Sequence, residues 1–288
     1  MPRTTIDTLR FDKKKNSWTK VPGGWCISYE ANKLEIASYN VWFDDYQFDE
    51  RAKLLLNLIK DCDVICLQEV TPKFFRTLKI ESWVKDDYYI SDSLFGNYGI
   101  VILSKCLLKF ELEFLKSKMG RNFLFGDCEI NNRKFRFGTS HLESLYNNSE
   151  TRCKQIKEIS QYYQGTDCIF TGDFNTQDAQ TLTNVIPLND VWKSLHPDLP
   201  GYTYDSDTNS MIKYPKQARF DRFLFKSINW TVSQLEIIGT EKVRVGDTFI
   251  YPSDHFGLKA ILTWDDPILK FDFSSIITRD VYIHFETK

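Results

Sequence analysis

The chain has 288 residues, 42% of them apolar and 26% charged, with a formal net charge of −2. That length allows one large domain or two small ones, and that apolar share buries a core without disulfides or a structural metal. A near-neutral balance excludes binding to nucleic acid through overall basic charge, and leaves only local clusters, Lys116, Lys118 and Arg121, then Lys213, Lys216, Arg219 and Arg222, as a candidate basic groove.

The seven cysteines form no CxxC pair, and several sit in apolar runs such as "DVICLQ" and "DCIFTG", which reads as reduced, mostly buried thiols of an intracellular protein. The opening stretch "MPRTTIDTLRFDKKKN" has no apolar export signal, and no run is long enough to span a bilayer. The expectation is a nuclear or cytoplasmic protein, not secreted, with no membrane partner.

In chain order, "KLEIASYNVW" predicts a strand and "FDERAKLLLNLIKD" an amphipathic helix with Ala52, Leu55, Leu56 and Ile59 on its apolar face. The continuous apolar run "DVICLQEV" predicts a strand covered on both faces. "TPKFFRTLK" predicts a helix start, with Thr71 as N-cap and Pro72 at the first helical position. Strands follow at "GIVILS", "LKFELEF" and "NFLFGDCEI", and a turn at Asn131-Asn132 leads into "RKFRFGTSHL", where Phe135 and Phe137 alternate with charged residues. A helix is expected over residues 149–163, a buried strand at "DCIFTGD", and three more strands at "RFDRFLF", "SQLEIIG" and "HFGLKAILTW". No repeat or linker divides the chain, so many strands with helices at intervals predict one α/β sandwich of two packed sheets with helices outside.

Polar residues recur where these apolar runs end. Asn40 closes the first, Glu69 follows "VICLQ", and His141 follows "FRFGTS". Asp173 and Asn175 follow "CIFTG", and Asp254 and His255 precede "FGLKAIL". Any one could be a turn residue; five strands ending this way point to one shared site on a rigid scaffold. Asn40 and Glu69 offer hard oxygens that suit Mg²⁺, which keeps most of its water and takes one or two protein ligands plus a phosphate. Asp173 is a candidate to draw a proton from an attacking water that Asn175 holds in line. His141 and His255 are candidate donors to phosphate oxygens, with Asp254 expected to orient the histidine or favour its charged form.

These stretches, "SYN", "LQEV", "SHLES", "GDFN" and "SDH", occur in the order that marks the endonuclease/exonuclease/phosphatase superfamily, which the chain resembles from about Lys33 to about Trp264. The resemblance implies a four-layer α/β/β/α sandwich with two mixed, largely antiparallel sheets. On that basis residues 1–32 and 265–288 are terminal extensions. "KMGRN" with Arg121, "HLES" with Ser144, and "RFDRFLF" with Asp221 are similar to the branch that hydrolyses tyrosine–phosphate links at DNA 5′ ends. That similarity implies Mg²⁺, or alternatively Mn²⁺, on Glu69 with Asn40. It also implies that Arg121, His141, Ser144, Tyr204, Phe220 and Asp221 meet the substrate or its surroundings. The partners implied are DNA with 5′ single-stranded or adducted ends and a topoisomerase-derived tyrosyl peptide, met by a monomer. The same residues would serve a general DNA or RNA nuclease or a phosphatase. Two positions depart from the family pattern, Gln177 where an Arg is usual and Tyr204 where a Trp is usual.

Overall fold

A computed structural model describes residues 3–22, 28–94, 96–165, 167–177 and 185–265. The N-terminal residues form β1 (Arg3–Ile6), β2 (Thr8–Asp12) and β3 (Ser17–Lys20). Next come β4 (Lys33–Asn40), helix α1 (Phe48–Ile59), β5 (Val64–Val70), α2 (Pro72–Ile80) and α3 (Ser82–Asp87). The strands β6 (Tyr89–Ser91), β7 (Gly99–Ser104), β8 (Lys109–Phe114), β9 (Asn122–Ile130) and β10 (Arg133–His141) precede α4 (Ser149–Ser160) and β11 (Asp167–Asp173). After them run β12 (Asn189–Asp190), α5 (Val191–Leu195), β13 (Tyr204–Asp205), β14 (Gln217–Ala218), β15 (Asp221–Lys226), β16 (Trp230–Ile238), β17 (Val243–Val245), β18 (Thr248–Ile250) and β19 (Gly257–Trp264).

Two large sheets result. One has the strand order β16-β19-β4-β5-β7-β6-β2-β3 and the other β1-β8-β9-β10-β11-β15-β12. Among the described strands the ladders are antiparallel except β4–β5 and β10–β11. Between the sheets lies a core that includes Ile36, Val64, Ile102, Leu124, Phe137, Ile169 and Phe223. A second cluster, with Tyr39, Leu55, Ile65 and Phe74, seats α1 to α3 on the outside of the eight-stranded sheet. A third, with Phe123, Ile156 and Phe170, seats α4 on the outside of the other. These are the four layers expected.

Local chemistry accounts for the elements. The α1 stripe buries Phe48, Ala52, Leu55, Leu56 and Ile59, and Asp49 and Glu50 face the positive end of its dipole. The Thr71 side chain accepts from the Phe74 N–H, with Pro72 beginning α2. Asn131 and Asn132 both take positive φ, 52° and 59°, as a tight β9–β10 hairpin requires. The helix expected over 149–163 tightens into a 3₁₀ turn at Gln161–Tyr163.

One expectation changes. Residues 3–20, read as part of an extension, are strands of both sheets: β1 pairs with β8, and β2 pairs with β6 and β3. Their short, charge-studded runs lack the long apolar blocks of inner strands and so read as a tail, but edge strands have just this composition. Beyond Asp265 the C-terminal extension lies outside the described residues. No helix is long and apolar enough to cross a membrane among the described residues. Cys62, Cys66, Cys106 and Cys168 are buried free thiols, Cys128 and Cys153 are half-buried, and Cys26 lies outside the described residues.

Register places the polar residues. Across the seven-stranded sheet His141 lies opposite Asp173, and Asp173 opposite Asp221. In the other sheet Asn40 lies opposite Gln68, one residue before Glu69. Gly172 makes the row possible. It sits at φ +141°, and a Cβ there would stand 2.3 Å from the Ser140 carbonyl oxygen. Gly172→Ala is therefore expected to destabilise the protein by more than about 2 kcal/mol. An unchanged midpoint of chemical denaturation would contradict this.

Candidate active site

The strand ends bring Asn40, Glu69, Arg121, His141, Ser144, Asp173, Asn175 and His255 together around one buried carboxylate, that of Asp173. Its Oδ2 accepts from Asn40 Nδ2 at 3.0 Å and lies 3.4 Å from His141 Nε2 and 3.8 Å from His255 Nε2. Its Oδ1 accepts from the Asn175 N–H at 2.8 Å. Burial alone would raise the Asp173 pKa, but the two imidazoles and these hydrogen bonds hold it below the usual carboxylate range.

The two histidines differ. Arg121 Nη1 can only donate, and it lies 2.9 Å from His141 Nδ1, so that nitrogen accepts and Nε2 carries the proton. Burial pushes the His141 pKa down to about 3, helped by the Arg121 charge, so this imidazole is neutral at physiological pH. His255 donates from Nδ1 to Asp221 Oδ2 at 2.8 Å. Burial opposes its charge, but Asp221 and Asp173 outweigh burial and hold its pKa well above the ordinary value. The site thus carries one neutral and one cationic imidazole on either side of Asp173.

Glu69 reaches the site through a backbone irregularity. The β5–β7 register shifts between Leu67 and Val70, and Glu69 takes φ +58°. A bulge of this kind re-aims a side chain. Its Oε2 accepts from the Phe43 N–H at 3.0 Å and its Oε1 lies 3.8 Å from His141 Nδ1. Burial, then the Asp254 charge, raises the Glu69 pKa to about 7, and burial raises that of Asp254. Two hard-oxygen donors that repel each other in a buried place suit a divalent cation that keeps most of its water. Glu69 would hold it, with no group of three or more His, Cys, Asp or Glu side chains among the described residues placed to hold a metal ion. Asn40 is largely engaged, since its Oδ1 accepts from the Trp42 N–H and its Nδ2 holds Asp173.

Several expected roles are corrected. Asp221, and not Asp254, fixes the orientation of His255, while the Asp254 charge favours the charged form of that imidazole as expected. Adjacent residues preceding a strand point apart, whereas Asp221 faces His255 from the neighbouring sheet. Asp221 is buried and supports His255 through the Nδ1 hydrogen bond. The expected basic wall is also reduced. Arg219 makes a two-pronged pair with Asp190, at 2.8 and 2.7 Å, and Arg222 reaches the same carboxylate at 3.3 Å, all three buried. Lys216 is the cation of that segment that lies over an aromatic face, 4.5 Å from the Phe220 ring. Tyr204 and Phe220 flank His255, with ring centroids at 5.1 and 6.2 Å. Ser144 Oγ accepts from Arg121 Nη2 at 2.7 Å and from Asn175 Nδ2 at 3.2 Å. Gln177 donates to the Gln217 carbonyl instead of facing the site.

Four contributors were missed from the sequence. Arg51, in phase with Phe48, Ala52 and Leu55 on α1, is 2% exposed and donates to the carbonyls of Val41, Asp44, Tyr46 and Pro252. Its helical phase is the signal that marked it as buried. Ser253 Oγ donates to the Asn40 carbonyl at 2.7 Å and accepts from the His255 N–H. Phe43 and Tyr98 stack at 5.1 Å with 9° between their planes, beside Arg121. No local pattern announces that pair.

Residues 37–255 match the model of the Endonuclease/Exonuclease/phosphatase family. Tyrosyl-DNA phosphodiesterase 2 of Danio rerio is 33% identical over 251 residues, which cover 80% of this chain and 66% of that protein. The human protein of that name is 28% identical over 279 residues, covering 89% of this chain and 76% of its own. The chain therefore spans about two thirds to three quarters of these relatives. The crystal structure of D. rerio TDP2 complexed with a single-strand DNA product superposes with a TM-score of 0.72 at 31% identity, covering 81% of this chain and all of that one.

Two outcomes follow from the site's charges. Because its folded pKa is raised, Glu69 detracts from stability as pH rises from the ordinary carboxylate value to about 7, and a cation that needs the ionised carboxylate offsets this. Millimolar Mg²⁺ should raise Tm more at about pH 8 than at about pH 5.5, and Glu69→Gln should remove the difference. An equal shift at both pH values would contradict the assignment. His255 is raised by its partner, so its contribution is full below the ordinary histidine pKa and lost as pH rises through the folded value. In Asp221→Asn its imidazole, followed by NMR, should deprotonate at lower pH than in the wild type. Coincident titrations would show that Asp221 does not hold the charge.

Proposed function

The chain belongs to the endonuclease/exonuclease/phosphatase family, and on that footing we propose that it is a Mg²⁺-dependent phosphodiesterase that hydrolyses 5′-phosphotyrosyl-DNA bonds and leaves a 5′-phosphate. One observation carries the reading: an ionised, buried Asp173 lies between a neutral and a cationic imidazole, with the Arg121 guanidinium alongside. That is a base flanked by donors suited to the oxygens of a phosphodiester.

Asp173 accepts the proton of an attacking water, and the Asn175 side chain, tethered to the Leu142 carbonyl and Ser144, borders that position. The water oxygen forms a bond to phosphorus while the bond to the phenolic oxygen breaks. The Nε2 atoms of His141 and His255 both lie beside Asp173, where a phosphate drawn up to the attacking water would meet them as donors, and Arg121 adds a fixed positive charge. Mg²⁺ held by Glu69 would supply further neutralisation of that charge. A phenol has a pKa of about 10, so tyrosine leaves without a general acid.

The DNA substrate draws support from the names of the relatives and from the DNA product bound in the zebrafish structure. Action as a monomer in the nucleus or cytoplasm, on topoisomerase-derived tyrosyl adducts, belongs to the same proposal. Wild-type protein with Mg²⁺ should release tyrosine from a 5′-phosphotyrosyl oligonucleotide, and excess EDTA, Asp173→Asn or Glu69→Ala should lower the rate by at least about 10³-fold while the circular dichroism spectrum is kept. Full activity in EDTA would overturn the metal. Faster cleavage of poly(A) RNA, an abasic duplex or a terminal phosphate would transfer the reading to a nuclease or phosphatase of the same family.

A further inference from the structure

Two aromatic walls border the reaction centre. Tyr204 and Phe220 stand against His255. The parallel stack of Phe43 and Tyr98 stands against the other half of the site, with the Arg121 guanidinium 5.8 Å from the Tyr98 ring and the His141 ring 6.4 Å from it. Phe43 is 51% exposed. A large ring left in water beside a buried polar site has a free face to offer.

The His141 ring fixes which wall lies on which side. Its Nε2 edge faces Asp173 and its Nδ1 edge faces Glu69, at 3.4 and 3.8 Å. The water taken by Asp173 therefore approaches from the Asp173 edge, and in-line displacement sends the departing oxygen towards the Glu69 edge. The backbone N–H of Phe43 donates to Glu69 Oε2 on that edge, and its ring is stacked on Tyr98, whose ring lies 6.4 Å from that of His141.

We infer that the Phe43–Tyr98 stack is the leaving-group subsite and selects an aryl ester, the tyrosyl ring lying on Phe43 as its oxygen departs. The inference rests on the function proposed above and deepens it. A 5′-tyrosyl-DNA substrate carries two flat groups on either side of the scissile phosphate, the phenol ring and the first base, and the site offers one wall for each. The Tyr204–Phe220 wall on the His255 side is left for the base. Arg121, drawn towards the Tyr98 face, ties the ring platform to the phosphate-facing network through His141 and Ser144.

The test compares one oligonucleotide whose 5′ phosphate carries either a tyrosyl ester or the ester of a fluorinated aliphatic alcohol about as acidic as phenol, cleaved by wild type, Phe43→Ala and Phe43→Tyr, so that the two leaving groups differ in shape and not in acidity. The Glu69 contact comes from the backbone of residue 43 and survives both substitutions. Phe43→Ala should lower the ratio of kcat/KM for the aryl over the alkyl ester by about 5- to 20-fold, and Phe43→Tyr should restore it. An unchanged ratio, whether both rates fall together or neither falls, overturns the leaving-group assignment; a common fall would place the first base on this wall instead. Wild-type protein that cleaves neither ester overturns the proposed function, and the inference with it. Tm values for all three proteins separate these outcomes from a folding defect.

Discussion

Every part of the site is arranged around the burial of Asp173. A carboxylate in a dry interior is tolerated only when charge and hydrogen bonds surround it, and here those partners come from both sheets. Asn40 arrives at the end of β4 and His255 just before β19 in one sheet, while His141 ends the β10 neighbour of β11 in the other. The same contacts that keep the carboxylate ionised therefore tie the two sheets together at one rim. Gln68 adds an uncharged tie nearby, donating to Ser38 and to Thr139 across the sheet interface.

Charge is distributed in graded pairs outward from this point. Asp221 neutralises His255 from below, and Arg121 engages His141 from the side. Glu69 and Asp254 are left as a mutually repelling remainder, which is where a cation has most to offer. Arg51 lies close enough to favour both acids, yet it spends its donors on four loop carbonyls and so shapes the rim instead of neutralising it. A guanidinium suits that task because its fork reaches several acceptors from one fixed plane.

Much of this was legible in the sequence because strand periodicity and the polar residues after each apolar run are local signals. "DVICLQEV" and "DCIFTGD" read as buried strands, and Val64–Val70 and Asp167–Asp173 are buried along their whole length. Asn40, Glu69, His141, Asp173, Asn175 and His255 all border apolar runs in the sequence and lie together in the structure. What failed was pairing across sheets. Sequence adjacency favoured Asp254 as the partner of His255, whereas an antiparallel register 34 residues away delivered Asp221. Arg219 and Arg222 read as surface charge because nothing near them in the chain announces Asp190, which arrives on a two-residue edge strand. The stack of Phe43 on Tyr98 joins two loops and has no periodic trace at all.

The placement of the first three strands has a practical side. One segment of under twenty residues covers the outer strand of each sheet, β8 on one and β6 on the other. A fragment trimmed to the span matched by the family model, 37–255, would lack β1 to β3, the first half of β4 and the whole of β19. It would present rows of unsatisfied amide and carbonyl groups that recruit the same strands from neighbouring molecules. Poor solubility of such a fragment would report on exposed ladders, and would say nothing about the chemistry at the other end of the sandwich.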